Sequence, residues 1–227
     1  MVTPNQLTLA VKPSDDSCFE NYFVCPANQQ AVSSLQDVCR SHELVYLWGS
    51  PQTGKTHLLQ SVAARLSESF YLTFKELDSL DPALLEGLHE LPVVCIDDIE
   101  LIAGNKIWES AIFDLYNRMK EAGSSLLIGA NMAPLSLPVS LKDLQSRLQS
   151  MLIYHLTSLN DEEKKEALQL RASHRGFELN AAVAGYIMAR AGRSFDDLMR
   201  VLDALDDKTL ETQRRLSIPL VRETLDW

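Results

Sequence analysis

The chain has four cysteines among 227 residues, and no two are spaced as C-x-x-C. Cys18, Cys25, Cys39 and Cys95 therefore suit neither a structural zinc site nor a disulfide framework, and a reducing, cytoplasmic setting is expected. The N-terminus lacks a basic stretch followed by an apolar core. No apolar run approaches the roughly 18 residues of a membrane span, so neither export nor membrane insertion is expected. Basic residues are also short, 21 Lys and Arg against 31 Asp and Glu, for a net charge of −10. A surface of that sign repels a phosphate backbone unless its few cations cluster, so any contact with DNA is expected to be indirect. There is no internal repeat and no low-complexity tract. What remains is ordinary globular material, 46% hydrophobic and 23% charged, enough for one domain or for a large and a small one.

One motif stands out from that background. Residues 49–56 read Gly-Ser-Pro-Gln-Thr-Gly-Lys-Thr, a complete G-x-x-x-x-G-K-[ST] loop, directly after the apolar run Leu44-Val45-Tyr46-Leu47-Trp48. Strand before and helix after are the context in which this pattern carries meaning. Gly49 and Gly54 let the backbone wrap an anion, so that successive amide N–H groups and the start of a helix face phosphate oxygens. Lys55 would reach the outer phosphates and Thr56 a magnesium ion. The expected ligand is a nucleoside di- or triphosphate.

Around the loop the pattern alternates. Apolar positions at Ala31, Val32, Leu35, Val38 and Cys39 predict a helix over residues 28–41, and a second helix opens from the loop over about 55–66. Strands are expected at 44–48, 70–74, 93–96, 126–128 and 152–155. Between the third and fourth, Ile107, Ala111, Leu115 and Met119 recur at fourfold spacing with Ile112 and Tyr116 beside them, ending at Gly123. Five strands alternating with helices predict an α/β fold with a parallel sheet flanked by helices. After Thr157 the pattern is purely helical: one helix from Asn160 or Asp161 to about His174, one from Asn180 to Ala191, one from Ser194 to Lys208 and one over Ile218–Leu225. The expected division is a polar tail over 1–17, an α/β nucleotide domain over 18–156 and a small helical domain over 157–227.

Val93-Val94-Cys95-Ile96 runs into Asp97-Asp98, placing two carboxylates at the carboxyl end of a buried strand, where such sheets bind ligands. Asp97 is the expected magnesium ligand with Thr56, directly or through water. Asp98 would orient or deprotonate a water for attack on the outer phosphate. Asn131, after the fourth strand, would either hold that water or simply form a turn before Met132-Ala133-Pro134. Arg147 precedes the fifth strand; it is either a solvated helix-end arginine or a group that enters the site of an adjacent subunit. In the tail, Gln6-Leu7-Thr8-Leu9-Ala10-Val11 would either anchor an extended peptide in an apolar pocket or add an edge strand.

Together the phosphate loop, the Asp97-Asp98 strand, Asn131, Ser146-Arg147-Leu148 and the helical C-terminal part resemble an AAA+ P-loop NTPase of the DnaA initiator clade, over about residues 19–227. The segments Cys18–Phe23, Ala111–Arg118, Leu168–Arg171 and Arg175–Leu179 are similar to a regulatory inactivator of the initiator. The resemblance implies a lid domain, an adenine nucleotide (ADP or ATP) with Mg2+, and weak intrinsic hydrolysis. It implies nucleotide contacts from Gly49, Ser50, Pro51, Gln52, Thr53, Gly54, Lys55, Thr56 and His57, from Phe19, Phe23 and Val24, and from Arg200. It makes the tail a motif for the sliding clamp (the DNA polymerase III beta subunit) through Gln6, Leu7, Leu9 and Val11. It makes Arg147 an arginine finger acting on ATP bound to DnaA, so that replication initiation is switched off. Homodimers or larger homo-oligomers stay open. Two departures stand out: Asp196 occupies the place of the lid's nucleotide-sensing arginine, with Arg193 or Arg200 as candidate substitutes, and Asn131 stands where close relatives carry aspartate. A full initiator would continue into a basic helix-turn-helix, which does not follow here; a free-standing ATPase such as a helicase loader is the alternative.

Overall fold

In the computed structural model, residues 17–192 and 194–227 are described. Gln6, Leu7, Leu9, Val11 and Arg193 therefore lie outside the described residues. The α/β part contains strands β1 (Leu44–Trp48), β2 (Ser69–Thr73), β3 (Val93–Asp97), β4 (Ser125–Ala130) and β5 (Leu152–His155). Its helices are α1 (Gln29–Ser41), α2 (Lys55–Arg65), α3 (Lys106–Ala122) and α4 (Lys142–Gln149). Every strand pair is parallel and the order is β2-β3-β4-β1-β5.

Alternate side chains of the central strands leave the sheet on opposite faces, which is why they read as continuous apolar runs. Tyr46, Val94, Ile96, Leu126 and Ile128 pack toward α3 and α4, with Ile112, Leu115, Tyr116 and Leu148. Val45, Leu47, Val93, Cys95 and Leu127 pack toward α1 and α2, with Leu35, Val38, Leu58 and Leu59. Each fully buried aliphatic side chain here is worth about 1.5–3 kcal/mol relative to an exposed one. The register aligns the strand ends: Trp48 lies beside Ala130 and His155, and Thr73 beside Asp97. The loops after β1, β3 and β4 thus leave the same edge of the sheet.

Helices α5 (Asp161–His174), α6 (Ala181–Arg190), α7 (Phe195–Thr212) and α8 (Ile218–Leu225) pack around a separate core that includes Leu168, Leu179, Ile187, Leu198, Leu202 and Leu220. Asn160 is the cap of α5: its side chain accepts from the Glu163 N–H at 3.0 Å while the Glu163 carboxylate accepts from the Asn160 N–H at 2.8 Å. Among the described residues no helix is long and apolar enough to cross a membrane.

Several sequence expectations shift. The second strand starts and ends one residue early, because Thr73 caps a 3-10 turn over Phe74–Ser79 by accepting from the Lys75 N–H. On α3 the buried stripe runs through Trp108, Ile112, Leu115, Tyr116 and Met119, whereas Ile107 is 71% exposed. The apolar run of β5 is a sheet edge, with Leu152 and Ile153 each 42% exposed, so its composition does not mark a central strand. Helix α7 continues past Lys208 to Thr212 and stops where Gln213 adopts a left-handed conformation.

Candidate functional site

A cavity of about 550 Å³ opens above the carboxyl ends of β1 and β3, and its wall is shared by both cores. Pro51, Gln52, Thr53, Gly54, Lys55, Thr56 and His57 form its floor, Asn21, Tyr22 and Phe23 one side, and Leu159, Ala167, Arg171, Phe195, Asp196 and Met199 of the helical part the other. Asp98, Asn131 and Lys75 reach in from the loops after β3, β4 and β2.

The loop leaves β1 with the Gly49 N–H donating to the Ala130 carbonyl at 3.2 Å, and turns into α2 at Gly54, φ 87°. A side chain at 54 would strike the Tyr22 ring 2.5 Å away, so close approach as well as backbone angle requires glycine there. Tyr22 is pinned over the loop by donating to the Thr53 carbonyl at 3.2 Å, and burial raises its phenol to about 12. The Lys55 Nζ donates to the Gly49 and Ser50 carbonyls at 2.8 and 3.0 Å. Burial pushes this ammonium below its usual value, while Asp97, Glu100 and Asp98 pull it back. An ammonium so poorly solvated gains strongly from a phosphate.

Beneath the loop, Thr56 Oγ1 donates to Asp97 Oδ2 at 2.5 Å, and the Tyr71 hydroxyl donates to the same oxygen at 3.2 Å. Asp97 has no exposed surface, and any side chain at Gly129 would collide with its Oδ1. Burial, reinforced by Asp98, raises the Asp97 carboxyl. The hydroxyl and carboxylate pair is a hard-oxygen donor set of the kind magnesium takes, needing phosphate oxygens and water to complete it. Asp98 sits in a left-handed conformation, φ 58°, with its carboxylate accepting from Thr73 Oγ1 at 2.7 Å and lying 3.6 Å from the Lys75 Nζ. The Asn131 side chain donates to Glu100, whose other oxygen accepts from the Asn131 N–H at 3.2 Å. Burial raises Glu100.

Of the nucleotide-binding residues expected from the sequence, Phe23 and all of 51–57 lie on the cavity, with Asp98 and Asn131. Phe19 does not: it is buried in the α1–α2 core, and Val24 packs against the same cluster, because their apolar side chains turn away from the opening. Gly49 and Ser50 contribute their carbonyls to Lys55 and are absent from the wall. Arg200 is a correction. Its side chain is 75% exposed and pairs with Asp197 one turn earlier on α7, and it does not line the cavity. Asp196 lines it instead. Sequence reasoning also missed Lys75, Leu159, Ala167, Phe195 and Met199, which no local motif marks.

Arg171 bridges the two parts of the fold by donating from Nη2 to His57 Nδ1 at 2.7 Å, and His57 Nε2 donates to the Cys18 carbonyl at 2.9 Å. A second bridge runs through Asn28, whose amide accepts from the Thr157 N–H at 2.9 Å and donates to its carbonyl at 3.1 Å.

Arg147 lies on α4, away from the cavity wall. Its guanidinium carbon stands 5.8 Å from the Tyr116 ring centroid and 6.0 Å from that of Phe113, both on α3. No carboxylate pairs with it among the described residues. The α3–α4 seat is tied by Glu109, which has no exposed surface and accepts the Gly104, Ser140 and Leu141 N–H groups at 2.7–3.0 Å. Tyr116 adds a 2.9 Å hydroxyl contact to Ser150.

The family model described as "Hda, lid domain" matches residues 161–225. That segment of the chain is similar to the Hda lid domain. The fold of the chain is that of domain III of the Thermotoga maritima replication initiation protein DnaA, with a TM-score of 0.78 at 22% identity over 93% of this chain and 96% of that one. AMPPCP-bound DnaA from Aquifex aeolicus is similar at a TM-score of 0.71 and 18% identity, covering 87% and 67% of the two chains. The Thermotoga maritima RuvB Holliday junction branch migration motor is similar at 0.69 and 21%, covering 92% and 71%. The residues that match this lid domain include α5 and α7, which form one wall of the cavity.

Proposed function

We propose that this Hda-like protein is an adaptor that regulates DnaA: it holds an adenine nucleotide with Mg2+, and it stimulates hydrolysis of ATP bound to DnaA by inserting Arg147. The observation that carries this reading is the guanidinium of Arg147, seated on two aromatic rings with no carboxylate partner among the described residues, in a chain whose C-terminal part matches the Hda lid domain. A cation so held keeps its N–H groups available for phosphate, and charge donated to the transition state from a neighbouring subunit is worth about 10³–10⁵ in rate.

The cavity supports the nucleotide part. Lys55 and the loop amides would hold phosphates, Thr56 and Asp97 the magnesium ion, and Tyr22 and Phe23 the base. The ion supplies charge neutralisation between phosphates. With Asp196 in place of a cationic lid residue and Asn131 engaged by Glu100, the chain's own turnover is slow and ADP is the resident ligand. The tail motif Gln6–Val11 would bind the DNA-loaded sliding clamp and concentrate the adaptor beside DnaA, so DNA is met through the clamp and in the cytoplasm.

The test is a reconstitution with clamp loaded on DNA, DnaA carrying labelled ATP, and this protein. Accelerated loss of the triphosphate from DnaA is expected, together with dependence on Gln6. A DnaA-bound triphosphate that lasts equally long with and without the protein sinks the reading. Steady ATP turnover by the isolated chain would instead favour a free-standing ATPase such as a helicase loader.

A further inference from the structure

Gln52 sits in the middle of the phosphate loop with φ at 67°, a left-handed angle that favours glycine and disfavours a branched or long side chain. An unfavourable backbone angle persists only where surrounding contacts enforce it. Here the contacts are on the lid. Gln52 Oε1 accepts from the Phe195 N–H at 3.0 Å, and Gln52 Nε2 donates to Asp196 Oδ2 at 2.9 Å.

Both ends of one amide are therefore used on the first two residues of α7. The first N–H groups of any helix lack an intrahelical partner. Ser194, the local cap, accepts from the Asp197 N–H at 3.0 Å, which leaves Phe195 to Gln52. The loop thus caps a lid helix from more than 140 positions away in the chain. Gln52, Phe195 and Asp196 all line the nucleotide cavity, so the joint crosses its wall.

We propose that Gln52 is a latch between the phosphate loop and the lid, and that opening it sets the rate at which bound nucleotide exchanges. The proposal rests on the nucleotide-binding reading above. Asp196 adds a dependence on phosphate number. Its carboxylate hydrogen-bonds the loop residue that would face the phosphates, so an anion bound on the loop repels it. Each added phosphate charge weakens the latch. A triphosphate leaves faster than a diphosphate for this reason. Lid closure also has the separate Arg171 to His57 contact, so losing the latch loosens the lid without detaching it.

The experiment uses the full chain and a fluorescent N-methylanthraniloyl ADP, with the matching non-hydrolysable triphosphate, chased by unlabelled nucleotide in stopped flow. Gln52→Gly suits the loop angle and removes the latch, so folding is retained. It should speed diphosphate release about tenfold, because it loses both the ordinary and the charge-assisted hydrogen bond, and Asp196→Ala, which keeps the Phe195 N–H bond to Gln52, should speed it by less. The double variant should be no faster than Gln52→Gly alone. Asp196→Asn keeps an acceptor but removes the charge, and should bring the triphosphate and diphosphate release rates together. Unchanged release in Gln52→Gly, or additive effects in the double variant, would overturn the proposal.

Amide hydrogen exchange at Phe195 in nucleotide-free protein gives an independent readout. It should quicken in Gln52→Gly, and equal protection in the two proteins means that the latch does not exist. Failure of the wild type to take up the labelled nucleotide would sink the nucleotide reading and the gating role with it. The exchange data would then still decide whether loop and lid are joined.

Discussion

The cavity over the phosphate loop and the Arg147 seat are built on opposite plans. The cavity draws its wall from four sheet loops, the entry segment and the helical part, and it holds ionisable groups in environments that oppose their charge: Asp97 is raised and Lys55 lowered, both chiefly by burial. The Arg147 seat draws on neighbouring helices only, and its charge rests on ring faces. The first arrangement is poised to gain from a ligand that brings its own charge. The second keeps a cation ready for an acceptor that comes from outside. If that contrast is right, each region should fail separately.

The largest separation is expected from Arg147→Ala. Stimulated hydrolysis on DnaA should fall by about 10³, down to the unstimulated rate, while nucleotide affinity of the chain stays unchanged in equilibrium titration. Retention of full stimulation would remove the seat from the function altogether. Lys55→Ala tests the other side, with nucleotide affinity expected to drop by roughly a hundredfold as a charge-assisted phosphate contact is lost. Its circular dichroism should match the wild type.

Glu109→Gln sharpens the contrast by loosening the ties between α3 and the Ser140-Leu141 turn, and should cost about 1–3 kcal/mol of unfolding free energy. A similar Tm in the variant would mean that the seat is held by the rings alone. pH should reveal the cavity but not the seat. Because the folded protein raises Asp97 above the usual carboxyl value of 3.8, it binds more protons than the unfolded chain just above that value. Without magnesium, stability should therefore decline as pH rises from 3.8 through the folded value, and Asp97→Asn should flatten that slope. Smallest of all, Phe113→Leu removes one ring from beneath Arg147, worth about 0.5–1 kcal/mol, and should reduce stimulation only a few-fold.

Much of the α/β core was legible because its signals are local. A strand buried on both faces reads as an unbroken apolar run, as at Val93–Ile96, and the glycine and lysine spacing at 49–56 marks the loop without any neighbour. Candidate caps such as Asn160 or Asp161 and stops such as Gly123 placed the helices, and the structure settles the first on Asn160. Local signals misled where position in the sheet mattered. Leu152 and Ile153 look like central-strand residues, yet among the described residues β5 has a partner on one side only. Phe19 and Phe23 are four residues apart in one aromatic segment, and only the packing of α1 and α2 decides that Phe19 is core while Phe23 faces the cavity.

By itself the amino-acid order determined the phosphate loop, the paired carboxylates at a strand end, the alternation of strands and helices and the all-helical final third, since each depends on spacing within one or two turns of chain. Tertiary structure alone decided which lid residues meet the loop. Gln52 finds Phe195 and Asp196, and His57 finds Arg171, because contacts across more than a hundred residues follow from how two cores pack and leave no periodicity in the sequence to read.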